Sequence, residues 1–151
     1  AATEAPADVD DVVVEDVDSK PGTGAFLGEV HACILRALGC VAAVTNGSVR
    51  DVPAIAASGL NLFANHVSVS HAYAHVVEFG KPVIVGGLEI NPGDLLHADC
   101  HGVLSVPQAI APAIPAKAAE LIARERRVLD LCAEGDVTIE RLRDAVHGIF
   151  N

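Results

Sequence analysis

The chain has 151 residues and is 51% hydrophobic but only 3% aromatic, with no Trp and no Met. That is enough for one domain, and its core must be built from Ala, Val, Leu and Ile. The formal net charge of −10 disfavours a nucleic-acid backbone as the main partner. No apolar run approaches the roughly 18 residues of a membrane span. The N-terminus lacks the basic-then-apolar pattern of a signal peptide, so a cytoplasmic protein is expected.

Residues 1–11 are rich in Ala, Pro and Asp and are expected to be poorly ordered. Val12-Val13-Val14, followed by Glu15-Asp16, predicts a short strand, and Asp18 to Gly24 a loop rich in turn residues. A helix is predicted from about Gly28. Val30, Ile34, Leu35 and Leu38 follow helical spacing, and Gly39 is a natural stop. Glu29 falls in the first turn, where the helix dipole favours negative charge. It is either an ordinary first-turn carboxylate or part of a site, since the backbone N–H groups at a helix start also bind anions.

Cys40 to Val44 predicts a buried strand, which leads into Thr45-Asn46-Gly47, a predicted tight turn. Arg50 and Asp51 then stand side by side. Arg can bind a carboxylate with its fork of donors, and Asp can hold a hard cation through oxygen. The plainer reading is a local ion pair at a loop. Asp51 to Gly59 predicts a short helix, with Pro53 in its first turn. Leu60 to Ala64 predicts a strand, and Ser68 to Ala74 a loop or short helix.

Val76-Val77 and Pro82 to Val85 predict strands, with Gly86-Gly87 as a turn. Leu88 to Asp94 predicts a strand and a turn at Pro92-Gly93. Leu95 to Asp99 and Val103 to Pro107 predict strands flanking a turn at Cys100-His101-Gly102. Hairpins at this density suggest an α/β protein with two β layers and helices outside, and not a doubly wound nucleotide fold. Ala111 to Ala133 predicts a helix broken near Pro112 and Pro115. Thr138 to Val146 predicts a last amphipathic helix, so residues 116–151 form C-terminal helices. Arg124-Glu125-Arg126-Arg127 has the character of a solvated face.

None of the cysteines Cys33, Cys40, Cys100 and Cys132 forms a C-x-x-C pair, so a zinc ribbon is not expected. Buried free thiols are the expectation instead. His71 and His75 are four apart and would share a face if helical. That pair is either a metal pair lacking an identifiable third ligand or packing histidines. Asp94 and Asp99 have the character of turn-forming carboxylates.

Gly28-Glu29, then Thr45-Asn-Gly-Ser-Val-Arg-Asp51, Pro92-Gly-Asp94, Ala98-Asp99, Gly102-Val103 and Pro107 together resemble the RraA-like family. That family includes the regulator of ribonuclease E activity and the class II 4-hydroxy-4-methyl-2-oxoglutarate aldolases. The resemblance covers roughly Val12 to Arg143. It implies a single domain over 1–151 from which the N-terminal third of the family domain is missing. The chain carries Asp99-Cys-His-Gly102 where many members have Asp-Asp-Gly.

The resemblance implies an α/β/β/α sandwich of the swivelling β/β/α type, assembled as homotrimers or hexamers with sites between subunits. It implies that Asp51 binds a divalent metal, Mg2+ or Mn2+, that Arg50 contacts a pyruvate group, and that Glu29 reaches the metal through water. Backbone amides from Leu27 through Gly28 and Glu29 to Val30 would bind the pyruvate carboxylate. A Glu from the C-terminal helix of a neighbouring subunit would complete the shell: Glu125, with Glu120 and Glu134 as alternatives.

The implied activity is a metal-dependent lyase cleaving 4-hydroxy-2-oxo acids to pyruvate, with oxaloacetate decarboxylation through the same pyruvate enolate. Arg and a metal beside the developing oxyanion suit this chemistry. Lys20, Lys81 and Lys117 all lie away from the motif in sequence, which argues against a Schiff-base aldolase. The alternatives are a non-catalytic regulator that binds a ribonuclease or helicase, and a shortened chain that is inactive alone and serves in an assembly. Neither entails direct nucleic-acid or membrane contact.

Overall fold

The structure is a computed structural model that describes residues 11–17, 23–135 and 137–150. The predicted disorder of residues 1–11 lies outside the described residues except for Asp11, as does the part of the predicted Asp18–Gly24 loop at 18–22. The chain forms two compact units, Ala1–Ser105 and Val106–Asn151.

The first unit opens with β1 (Val12–Glu15), β2 (Ala25–Leu27), α1 (Glu29–Ala37), β3 (Ala42–Val49), α2 (Val52–Ala57) and β4 (Asn61–Val67). All the pairings of this sheet are parallel. β3 is its spine. Along one edge β1 pairs with Ala42–Thr45 and β2 with Ser48–Val49, while β4 runs along the other edge from Ala42 to Val49. Parallel neighbours need crossovers, and α1 and α2 supply them between β2 and β3 and between β3 and β4. A strand covered on both faces reads as a continuous run of small and apolar residues, and seven of the eight β3 residues are buried.

Strand β3 corrects the predicted turn. Asn46-Gly47 lies inside the strand, which extends to Val49. Against β4, Thr45 pairs with Ala64 and Ser48 with His66, so three steps on β3 match two on β4. The extra residue makes a bulge. Its composition follows from what lies beside it. Val17 N–H donates to Asn46 Oδ1 at 2.7 Å, and Asn46 Nδ2 donates to Asp16 Oδ1. A Cβ on Gly47 would stand 2.8 Å from Val17 Cγ2. Asn and Gly are therefore needed here for a close approach by the end of β1 and not to reverse the chain.

The core joins Leu27, Ala32, Leu35, Cys40, Ala43, Val49, Ile55 and Leu60, so α1 and α2 pack against the sheet through one cluster. Leu27 and Ile55 are almost fully buried, each contributing about 1.5–3 kcal/mol by leaving water.

After β4 the chain runs without helix or named strand to β5 (Val83–Val85). The strand predicted at Val76-Val77 is absent, and the helix that would have aligned His71 with His75 does not form. His71 instead makes an isolated parallel bridge to Ala25. β5 and β6 (Leu88–Ile90) form an antiparallel hairpin through Gly86-Gly87, both at positive φ as a two-residue turn requires. β7 (Leu95–Asp99) pairs with β8 (Gly102–Val106). Of the four cysteines only Cys40 is buried. The expectation of buried thiols fails because Cys33 lies on the outer side of α1, Cys100 at a strand tip and Cys132 on the exposed side of the penultimate helix, Ile114–Ala133.

The second unit contains a 3-10 turn at Ala111–Ala113, α3 (Ile114–Ala133) and α4 (Ile139–Phe150). Pro115 opens α3 where its missing N–H costs nothing. Arg124 Nη1 donates to Ile149 O at 3.1 Å, tying the two helices together.

Candidate active site at the end of the central strand

Strand β3 delivers Arg50 and Asp51 to its C-terminal end, beside the start of α1. Arg50 N–H donates to Leu27 O at 2.9 Å, and its Nη1 donates to Ala25 O at 3.1 Å. The guanidinium is thereby pinned across β2. Its Nε lies 3.4 Å from Asp51 Oδ2. Asp51 precedes α2 but does not cap it with its side chain. Its Oδ2 instead accepts the N–H of Glu29, the first residue of α1, at 3.2 Å. The carboxylate therefore satisfies an orphan donor at a positive helix end.

Two backbone features make this approach work. Asp51 is the only non-glycine at positive φ among the described residues, at φ 56° and ψ 33°. Asp tolerates this region better than most residues, and such conformations concentrate at functional sites. Gly28 has extended backbone, so its freedom is not what matters. A Cβ there would stand 2.8 Å from Asp51 Oδ2 and 2.9 Å from Arg50 Cζ. Glycine lets the cation and the anion lie directly on the helix start.

Of the predicted site residues, the structure brings together Leu27, Gly28, Glu29, Arg50 and Asp51, with Val30 in the first turn behind them. Arg50 and Asp51 are indeed an ion pair, but one docked on a helix N-terminus and half-open to solvent. Asp51 and Glu29 offer hard oxygen donors of the kind that suits Mg2+ or Mn2+. Glu125, Glu120 and Glu134 belong to the second unit. Glu120 pairs with Lys117 and Arg124, and Glu134 with Arg141. Glu125 is exposed and makes no ion pair among the described residues.

Sequence reasoning missed the neighbouring dyad of Glu15 and His31. His31 Nε2 lies 3.1 Å from Glu15 Oε1, and Phe26 meets the imidazole edge-on at 5.0 Å. The hydrogen bond to Glu15 raises the His31 pKa above its usual value, burial opposes this, and the Glu15 charge adds to the rise. Glu15 Oε2 is buried without a partner among the described residues. The two residues are sixteen positions apart on different elements, so no local pattern signals them.

The model of the RraA-like family, which groups aldolases with RraA, matches residues 2–105 of the chain. The chain belongs to the RraA-like family. The match coincides closely with the first compact unit, which carries the whole Arg50–Asp51–Gly28 arrangement. A relative from Halalkalibacterium halodurans, provisionally named a 4-hydroxy-4-methyl-2-oxoglutarate aldolase, is 29% identical over 126 residues, covering 80% of this chain and 59% of that protein. Among solved structures, Streptomyces coelicolor RraAS2, described as an unusual member of the RNase ES inhibitor RraA protein family, matches with a TM-score of 0.65 at 27% identity. That match covers 77% of this chain and 60% of the other. The RNA-processing inhibitor RraA from Thermus thermophilis matches with a TM-score of 0.57 at 28% identity, covering 64% and 58%. The chain thus spans about three fifths of the length of each of these RraA-like relatives. The α/β class and the RraA-like fold read from the motifs hold.

Proposed function

We propose that this chain is a divalent-metal-dependent carbon–carbon lyase that cleaves 4-hydroxy-2-oxo acids to pyruvate and decarboxylates oxaloacetate. The observation that carries this reading is the convergence of Arg50, Asp51 and the α1 N-terminus on Gly28. A 2-oxo acid presents a carboxylate next to a carbonyl. The N–H groups and dipole of α1 suit the carboxylate, and the permanently charged Arg50 suits the carbonyl oxygen on which charge develops. The pin to Ala25 O fixes the guanidinium in advance, so little reorganisation is needed.

Asp51 and, through water, Glu29 would hold Mg2+ or Mn2+, whose chemistry is to polarise the 2-oxo group. Glu125 from a neighbouring copy would complete the donor set, in a homotrimer or hexamer. The cytoplasm is the compartment this reading implies. Among the described residues no helix is long and apolar enough to cross a membrane.

The test is pyruvate release from oxaloacetate with and without Mg2+. Metal-stimulated turnover that disappears in Asp51→Ala is expected. No stimulation, or full activity in Asp51→Ala, would overturn the reading. The solved RraA relatives named as inhibitors of RNA processing support a second one, a regulator that binds a ribonuclease or helicase without chemistry of its own. A pull-down that retains an RNA-processing enzyme, from a chain without lyase turnover, would favour it.

A further inference from the structure

The tip of the β7–β8 pair gathers four groups that the lyase site does not use. His97 and Asp99 are two apart on β7, so the strand period puts them on one face. The turn then carries Cys100 and His101 back to the end of that face. His101 Nδ1 lies 3.2 Å from Asp99 Oδ2, and Cys100 Sγ lies 3.4 Å from His101 Nδ1. His97 Nε2 lies 4.0 Å from Asp99 Oδ2. One ligand atom each from Asp99, Cys100 and His101 falls within 4.8 Å of the others.

These separations are informative. Ligands bound at about 2.0–2.3 Å around a tetrahedral cation stand roughly 3.3–3.8 Å apart. The Asp99–His101 and Cys100–His101 separations are already close to those of atoms that share one ion, while His97 stands just outside this group of three. The other oxygen of Asp99 accepts the His101 N–H at 2.8 Å, which fixes the carboxylate and leaves Oδ2 facing the imidazoles. The donors all come from a five-residue stretch, so gathering them closes only a short loop. Stabilising the turn needs Asp99 and a backbone N–H alone; it explains neither the thiol nor the second imidazole beside them.

Two imidazoles, a thiol and a carboxylate form a borderline-soft set. It suits Zn2+ and its first-row neighbours, and it is a poor match for Mg2+. We propose that Asp99, Cys100 and His101 form a binding site for a zinc-class divalent cation at the β7–β8 tip, with the exposed His97, 4.0 Å from Asp99, turning in as the fourth ligand. It shares no residue with the Arg50–Asp51 site, so the two stand or fall separately.

Co2+ is the probe, titrated into the reduced, chelator-treated full chain. The expected result is one four-coordinate Co2+ per chain, read from intense visible bands and a near-ultraviolet thiolate-to-cobalt band, both bleached by Zn2+; any Co2+ at the oxygen donors of Asp51 adds only weak six-coordinate absorption. Cys100→Ser removes the charge-transfer band, while Cys33→Ser and Cys132→Ser keep it. His97→Ala and His101→Ala each weaken binding by about tenfold or more, at least what losing a ligand's hydrogen-bond support costs. Asp51→Ala leaves both sets of bands unchanged. A weak six-coordinate spectrum alone, a thiolate band that survives Cys100→Ser, or bands that vanish in Asp51→Ala would overturn the proposal.

Discussion

At the scale of single residues, the site depends on an absence: the missing side chain of Gly28. Gly28→Ala places a methyl group within 3.0 Å of both Arg50 and Asp51. Overpacking of this kind costs about 1–3 kcal/mol. The expected outcome is a modest drop in melting temperature with a much larger loss of metal-stimulated pyruvate release, because the two charged groups are displaced from the helix start. Asp51→Asn separates charge from shape. Asn accepts the same N–H and tolerates the same backbone region. The unfolding free energy from denaturant titration should stay within about 0.5 kcal/mol of wild type while metal-dependent turnover is lost.

His31 makes a pH-dependent contribution. Its folded pKa lies above the ordinary 6.5 because Glu15 favours the charged ring. The stability it adds is therefore complete below pH 6.5 and is lost as pH rises through the raised folded value. Melting temperature should fall across that window in the wild type. In Glu15→Gln that slope should flatten, with the His31 NMR titration moving to lower pH. Arg50, Asp51 and Glu29 could be singled out in the sequence as candidates, because an adjacent Arg–Asp pair and a first-turn carboxylate are local patterns, and the family resemblance joined them. Glu15 and His31 could not, because only the pairing of β1 with β3 and the start of α1 bring them together.

At the scale of elements, hydrophobic runs and stop signals located α1, α2 and the two strand pairs after residue 82. Three residues of β2 are too few to show a period. Asn46-Gly47 misled because the same dipeptide serves a turn and a bulge, and only the approach of Val17 distinguishes them. Gly47→Ala tests that explanation. It should cost about 1–3 kcal/mol in chemical denaturation, since the methyl meets a neighbouring strand end; a turn position in open space would tolerate it. Ile55→Ala, in the centre of the cluster joining α2 to the sheet, should cost about 2–5 kcal/mol.

At the scale of the molecule, apolar surface is unevenly covered. Between β4 and β5, Val69, Tyr73 and Phe79 are at least nine-tenths exposed. In the second unit, Ile122 and Leu129 of α3 also face solvent. Large apolar side chains left this exposed are the kind that contacts between chains cover, and the homotrimer of the proposed reading would cover them. Light scattering should give the mass of a trimer or a multiple of it, and Tyr73→Asp combined with Phe79→Asp should shift it to the monomer. Retention of the trimer by that double variant would place the interface elsewhere. Composition shows that apolar residues are plentiful, but not which of them lie exposed.

The bulge in β3 also works as a phase shifter. In a strand, parity decides which side every residue faces. Upstream of Thr45, parity is locked by the β1 pairing and the core; downstream of Ser48, it is locked by β2 and by the requirement that Arg50 and Asp51 meet α1. The single surplus residue lets one strand satisfy both frames. Losing any one residue between 45 and 48 would leave the composition nearly intact, yet put the scaffold and the chemistry half a period out of step.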